Sequence, residues 1–160
     1  MTTTTTTTIA NPAFVVLPGV GQQMNELGHT AIEKVCSADT GGAYYAFEVT
    51  SPTGMGIPPH VHSHEDEVIY VIEGDFEVFL GGTVFRAGPG SLLNFARGTP
   101  HGFQNVGTTT GRTLWVVTPG ASFEQFFHEL AQVPPGPPDF PMIAALFGKY
   151  GMDVLPPPGL

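Results

Sequence analysis

Basic residues are scarce in this chain: five Lys and Arg stand against fourteen Asp and Glu, for a formal net charge of −9. They are not clustered, so there is no footprint for nucleic acid and no patch for an anionic lipid surface. Cysteine is reduced to Cys36 alone, which excludes an internal disulfide and reads as a small buried hydrophobe rather than a nucleophile. No stretch approaches the roughly 18 apolar residues of a membrane span. Met1 is followed by seven threonines, a lead without the positive and apolar regions of a secretory signal. No glycine-rich phosphate loop is present. The expectation is a soluble cytoplasmic protein without nucleic-acid or membrane partners.

What is abundant is turn chemistry. Gly (21) and Pro (16) exceed a fifth of the 160 residues, while only 12% are charged, a turn-rich β composition. Strands are expected at Ala13–Pro18, His29–Cys36 and Ala43–Thr50. Further strands follow in FEVFL, TVFRA and SLLNFA, with Gly at each reversal, and the last in Arg112–Thr118. Such short strands at regular spacing indicate a barrel or sandwich. The period then changes. Ser122–Ala131 places Phe123, Phe126, Phe127 and Leu130 at helical spacing, with Ser122 as N-cap and Gln125 three residues on. After the stiff PPGPP run at 134–138, FPMIAALFGKYG predicts a second helix ending in glycine. His128 on the first helix is expected to face solvent. The organisation is therefore a Thr-rich disordered N-terminus over 1–12, a β-barrel over 13–120 and a helical tail over 121–160.

The chemistry is concentrated in GMGIPPHVHSHEDEVIYVIEG, residues 54–74, which holds three of the six histidines. In an extended strand, residues i and i+2 share a face, so His60 and His62 present two imidazoles side by side. Glu67 heads EVIYVIE, whose β-branched and aromatic content is that of a buried strand set beside the histidines. His64 keeps the same parity, but the acidic EDE after it predicts a turn and a solvated ring. In GSLLNFARGTPHGFQN, residues 90–105, a Pro-bearing turn leads into His101, Phe103 and Asn105 on one strand face. His101 is the natural fourth ligand, and Asn105 is expected to brace the strand. Two imidazoles and a carboxylate suit iron, manganese, nickel, cobalt, copper or zinc without selecting among them.

These two stretches resemble the paired motifs of the cupins. Gly54, His60, His62, Glu67 and Gly74 match the first motif, and Gly90, Gly98, His101 and Asn105 the second. Ala96 stands where the family usually has Pro, which touches the loop and not a ligand. The resemblance covers residues 54–105. It implies an all-β, double-stranded β-helix or jelly-roll barrel holding one divalent transition metal ion through His60, His62, Glu67 and His101. With no second His-x-His pattern, the chain reads as a single-barrel cupin. In cupins with similar tails the C-terminal helices close the barrel or embrace a neighbour, so a homodimer is expected.

Walls supplied by Phe47, Phe76, Phe79, Phe95, Phe103 and Trp115 favour a flat or aromatic organic ligand. The resemblance to quercetinase-like cupins implies a dioxygenase of a small aromatic or enolic substrate. In that group Glu67 would both ligate the metal and carry the substrate proton, a catalytic role. Two alternatives stand beside it: a non-oxidative metal-dependent lyase, isomerase or cyclase, and a module that binds a small molecule without turnover.

Overall fold

The computed structural model describes residues 13–134 and 139–156. The Thr-rich lead over 1–12 and most of the PPGPP connector lie outside the described residues.

Two antiparallel sheets form the barrel. The first is assembled from β1 (Gln23–Glu26), β2 (His29–Val35), β3 (Tyr45–Ser51), β5 (Asp66–Glu73), β8 (Leu92–Phe95) and β10 (Gly111–Thr118), in the order β1-β2-β3-β10-β5-β8. The second is assembled from β4 (Gly56–His62), β6 (Phe76–Leu80), β7 (Thr83–Ala87), β9 (His101–Asn105) and β11 (Met152–Val154), in the order β11-β4-β9-β6-β7. Alternation along the strands puts one face of each sheet inside. On β10 the inward residues are Gly111, Thr113, Trp115 and Val117, and on β5 they include Glu67, Ile69 and Val71. The sheets meet where Phe103 of β9 packs on Trp115 of β10 with ring centroids 5.3 Å apart.

Two helices follow β10: α1 (Ala121–Leu130) and α2 (Phe140–Lys149). The amphipathic spacing behaves as expected, since Phe123, Phe126, Phe127 and Leu130 are buried. The start of α1 differs from the expected cap. Gly120 occupies the N-cap, without side-chain capping by Ser122. A Cβ at Gly120 would lie 2.4 Å from the Tyr44 and Tyr45 backbone, so the close approach of this corner to β3 sets the helix start. Helix α2 is capped by Asp139, whose carboxylate accepts from the Met142 amide at 3.1 Å.

Three further sequence expectations are corrected. Ala13–Pro18 forms no strand: Val15 is 84% exposed and no neighbouring strand accepts the segment, so its apolar composition alone is insufficient. The first strand is Gln23–Glu26 instead. The tail is not helical throughout, because β11 returns to pair with β4, setting Met152 opposite His62 and Val154 opposite His60. Glu67 does not lie beside the histidines on their sheet but reaches across from the other one. Among the described residues no helix is long and apolar enough to cross a membrane.

Candidate metal centre

Strand β4 directs His60 and His62 inward, and β9 sets His101 directly opposite His60 in the register. Glu67 on β5 completes the group from the facing sheet. All four are buried, none more than 5% exposed, and their donor atoms lie within 4.8 Å of one another. His62 Nε2 is 3.5 Å from Glu67 Oε1, and His101 Nε2 is 3.2 Å from Glu67 Oε2.

The outer nitrogens fix the tautomers. Nδ1 of His60 donates to the Pro58 carbonyl at 2.9 Å, and Nδ1 of His101 donates to the Thr99 carbonyl at 2.8 Å. His62 Nδ1 faces the Glu65 carboxylate at 3.4 Å. Each ring, when neutral, therefore turns an Nε2 lone pair inward. Two of these, on His60 and His62, are only 3.0 Å apart, an arrangement that repels unless a proton or a cation lies between them. Glu67 Oε2 and His101 Nε2 face each other at 3.2 Å and have no hydrogen-bond partner elsewhere. A cation would engage all of these atoms, so the residues fit a divalent metal.

The charge states of His60 and Glu67 agree with that fit, while the carboxylates around His62 favour a positive charge at its position. Burial, reinforced by His101, pushes His60 down to about 3. Burial of Glu67 opposes its ionisation, but His62 and His101 outweigh it and hold the carboxyl below its ordinary range. Burial also opposes the charged form of His62, and there Glu67 and Glu65 prevail and raise it.

The centre borders a small cavity of ≈ 50 Å³. Phe47, Phe103 and Trp115 form its barrel walls, while Phe123, Phe126 and Phe147 close it from the helices. Phe47 stacks between Trp115 and Phe123, with interplanar angles of 20° and 12°. The Phe123 ring also lies 5.6 Å from His62, so α1 roofs the metal group. Of the other expected walls, Phe76 and Phe95 belong to the packed core and Phe79 lies on the opposite face of its sheet, in an outer groove. The helical aromatics were not foreseen as walls.

Other candidates fall outside the centre. His64 is exposed. Asn105 braces its surroundings, donating to the carbonyls of Ser51 and Thr109 at 2.9 Å and accepting from the Gly107 amide. With Ala96 in place of Pro the loop still closes, through Thr99 N to Ala96 O at 3.1 Å and a paired contact of Arg97 with Asp66. His128 is part exposed and pairs with Glu33 at 2.9 Å. Cys36 Sγ donates to Glu33 at 2.9 Å, and burial pushes its thiol up to about 12, which removes it as a nucleophile. A second group, Glu33, Glu124 and His128, is already engaged with Cys36, Tyr45 and the Ser37 amide.

Residues 47–117 match the family model of the cupin domain. Quercetin 2,3-dioxygenase of Bacillus subtilis (strain 168) is 28% identical over 119 residues, covering 73% of this chain and 34% of that protein. Polyketide synthase CurC of Streptomyces cyaneus is 32% identical over 83 residues, covering 51% of this chain and 53% of that protein. The chain thus spans about a third and about half the length of these two relatives. The polyketide cyclase RemF of Streptomyces resistomycificus superposes with a TM-score of 0.58 at 26% identity, covering 67% of this chain and 80% of that one.

Proposed function

This chain carries a cupin domain over residues 47–117, and from that premise we propose that it is a metal-dependent dioxygenase of a small aromatic or enolic substrate. The observation that carries the reading is the junction of a four-ligand group with an aromatic-walled cavity. His60, His62 and His101 would hold the ion through Nε2 and Glu67 through its carboxylate. A divalent transition metal bound there would supply a Lewis-acid and redox centre for an enol oxygen. Glu67 would take the enol proton at Oε2, the oxygen that faces His101 Nε2 at 3.2 Å. The aromatic roof formed by Phe123, Phe126 and Phe147 would keep water away from the reacting carbanion.

The likeness to CurC and RemF favours a second reading, a cyclase or related non-oxidative enzyme using the same residues without oxygen. Oxygen uptake with quercetin, measured after loading each metal in turn, separates the two. Metal-dependent uptake matched to flavonol loss supports the dioxygenase. Substrate conversion without uptake supports the cyclase, and binding without conversion returns the chain to a non-catalytic module. A homodimer is part of the same proposal: Leu114, Tyr70 and Leu92 are exposed and aligned across β10, β5 and β8. Sedimentation equilibrium at twice the chain mass is the expected result.

A further inference from the structure

The cavity has a second acidic residue that the metal group does not use. Glu26, the last residue of β1, is 3% exposed, lines the cavity, and has no hydrogen-bond partner for either carboxylate oxygen. Its register neighbour His29 also lines the cavity but is committed elsewhere, Nδ1 to Ser51 Oγ at 2.9 Å and Nε2 to the Gly56 carbonyl at 3.5 Å. A buried carboxyl left unpaired is costly, and native folds rarely keep one without a use.

The backbone beside it is strained in the same place. Leu27 and Gly28 form the two-residue turn between β1 and β2, with φ of 53° and 92°. Such a turn favours Asn-Gly, and a leucine there adopts a left-handed conformation at a cost. That leucine also lines the cavity. The hairpin thus gives up local stability and directs Glu26 and Leu27 at the same enclosed space.

Glu26 and Glu67 belong to the same curled sheet, four strand steps apart and offset by about six residues along the strands, so they stand toward opposite ends of its inner face. The cavity therefore has two polar ends joined by aromatic walls. Resting on the reading of the metal group as a substrate-binding centre, we propose that Glu26 is a substrate-binding residue. Its carboxyl exchanges hydrogen bonds with a hydroxyl or carbonyl oxygen at the end of the ligand remote from the metal. The substrate class is then a flat aromatic oxygenated at both ends, rather than one with a single enol group. Burial pushes the Glu26 carboxyl up to about 8, so near neutral pH it can both donate and accept.

The test uses the zinc-loaded full chain, with 3-hydroxyflavone and its 7-hydroxy and 4′-hydroxy derivatives as probes in fluorescence titrations. Wild type is expected to bind at least one derivative about tenfold more tightly than the parent flavone. Glu26→Met should abolish that preference while leaving metal content and parent-flavone affinity unchanged, and Glu26→Gln should retain part of it. Metal-dependent binding of the parent with the same preference in wild type and Glu26→Met would overturn the role of Glu26 and leave the metal reading standing. No binding of any probe would remove both. A fall of several degrees in melting temperature for Glu26→Met at pH 8 would mark the residue as structural and also overturn the proposal, since loss of an unsatisfied buried carboxyl should not destabilise the fold.

Discussion

Glu65 Oε2 lies 3.4 Å from His62 Nδ1, with both side chains 1% exposed. The carboxylate stands behind the imidazole, on the side away from the other three ligands. Contacts of this kind hold a ligating ring in one orientation and raise its basicity. Glu65→Gln should weaken metal affinity about 10- to 100-fold, read by competition with a chromogenic chelator. Unchanged affinity would show that the contact is incidental.

Glu67→Gln separates ligation from proton transfer. Three imidazoles remain, so some metal should be retained, while loss of a general base should lower kcat by about 10²- to 10⁴-fold. Turnover equal to wild type would remove Glu67 from the proton step.

Glu26 predicts a specific pH dependence. Its carboxyl ordinarily titrates near 4.5 and in the folded chain at about 8. Between those values the folded state binds a proton that the unfolded state has released, so stability falls as pH rises and levels off above 8. With about 1.4 kcal/mol per pKa unit, the loss amounts to a few kcal/mol. The other titratable groups lining this cavity, His29, His60, His62 and Glu67, are common to wild type and Glu26→Met. The difference between their urea denaturation curves across pH 5–9 therefore isolates Glu26. A difference independent of pH would contradict its burial as an acid.

Phe123 packs against Phe47, Phe126 and Phe127 and is 4% exposed. Phe123→Ala should cost about 3–5 kcal/mol in denaturant unfolding and open the roof over His62, with the four ligands still in place. A cost below about 1 kcal/mol would mean that α1 repacks to fill the gap.

The ligand group was legible because strand alternation has a period of two: His60 and His62 had to share a face, and the turn before His101 fixed where its strand began. Glu67 was legible as a strand residue, but the sheet it belongs to depends on the barrel's connections, which no local pattern carries. Glu65 sits in an acidic EDE that reads as a solvated turn, although it keeps the inward parity of Glu67. Glu26 breaks the hydrophobic pattern that marks inward positions, and the only hints were its parity with Met24 and the Leu27-Gly28 turn. Strand β11 is three residues long, too short for any periodicity, and exists through its pairing with β4. The apolar Ala13–Pro18 segment shows the converse, strand composition without a partner.

The most direct measurement is metal content per chain by mass spectrometry, for wild type and for His62→Ala. The ligand group predicts close to one divalent ion per chain in wild type, and loss of most of it in a variant whose circular dichroism still shows the β-barrel. A wild-type chain that takes up no ion under any loading, or a His62→Ala chain that keeps its full complement, would contradict the assignment.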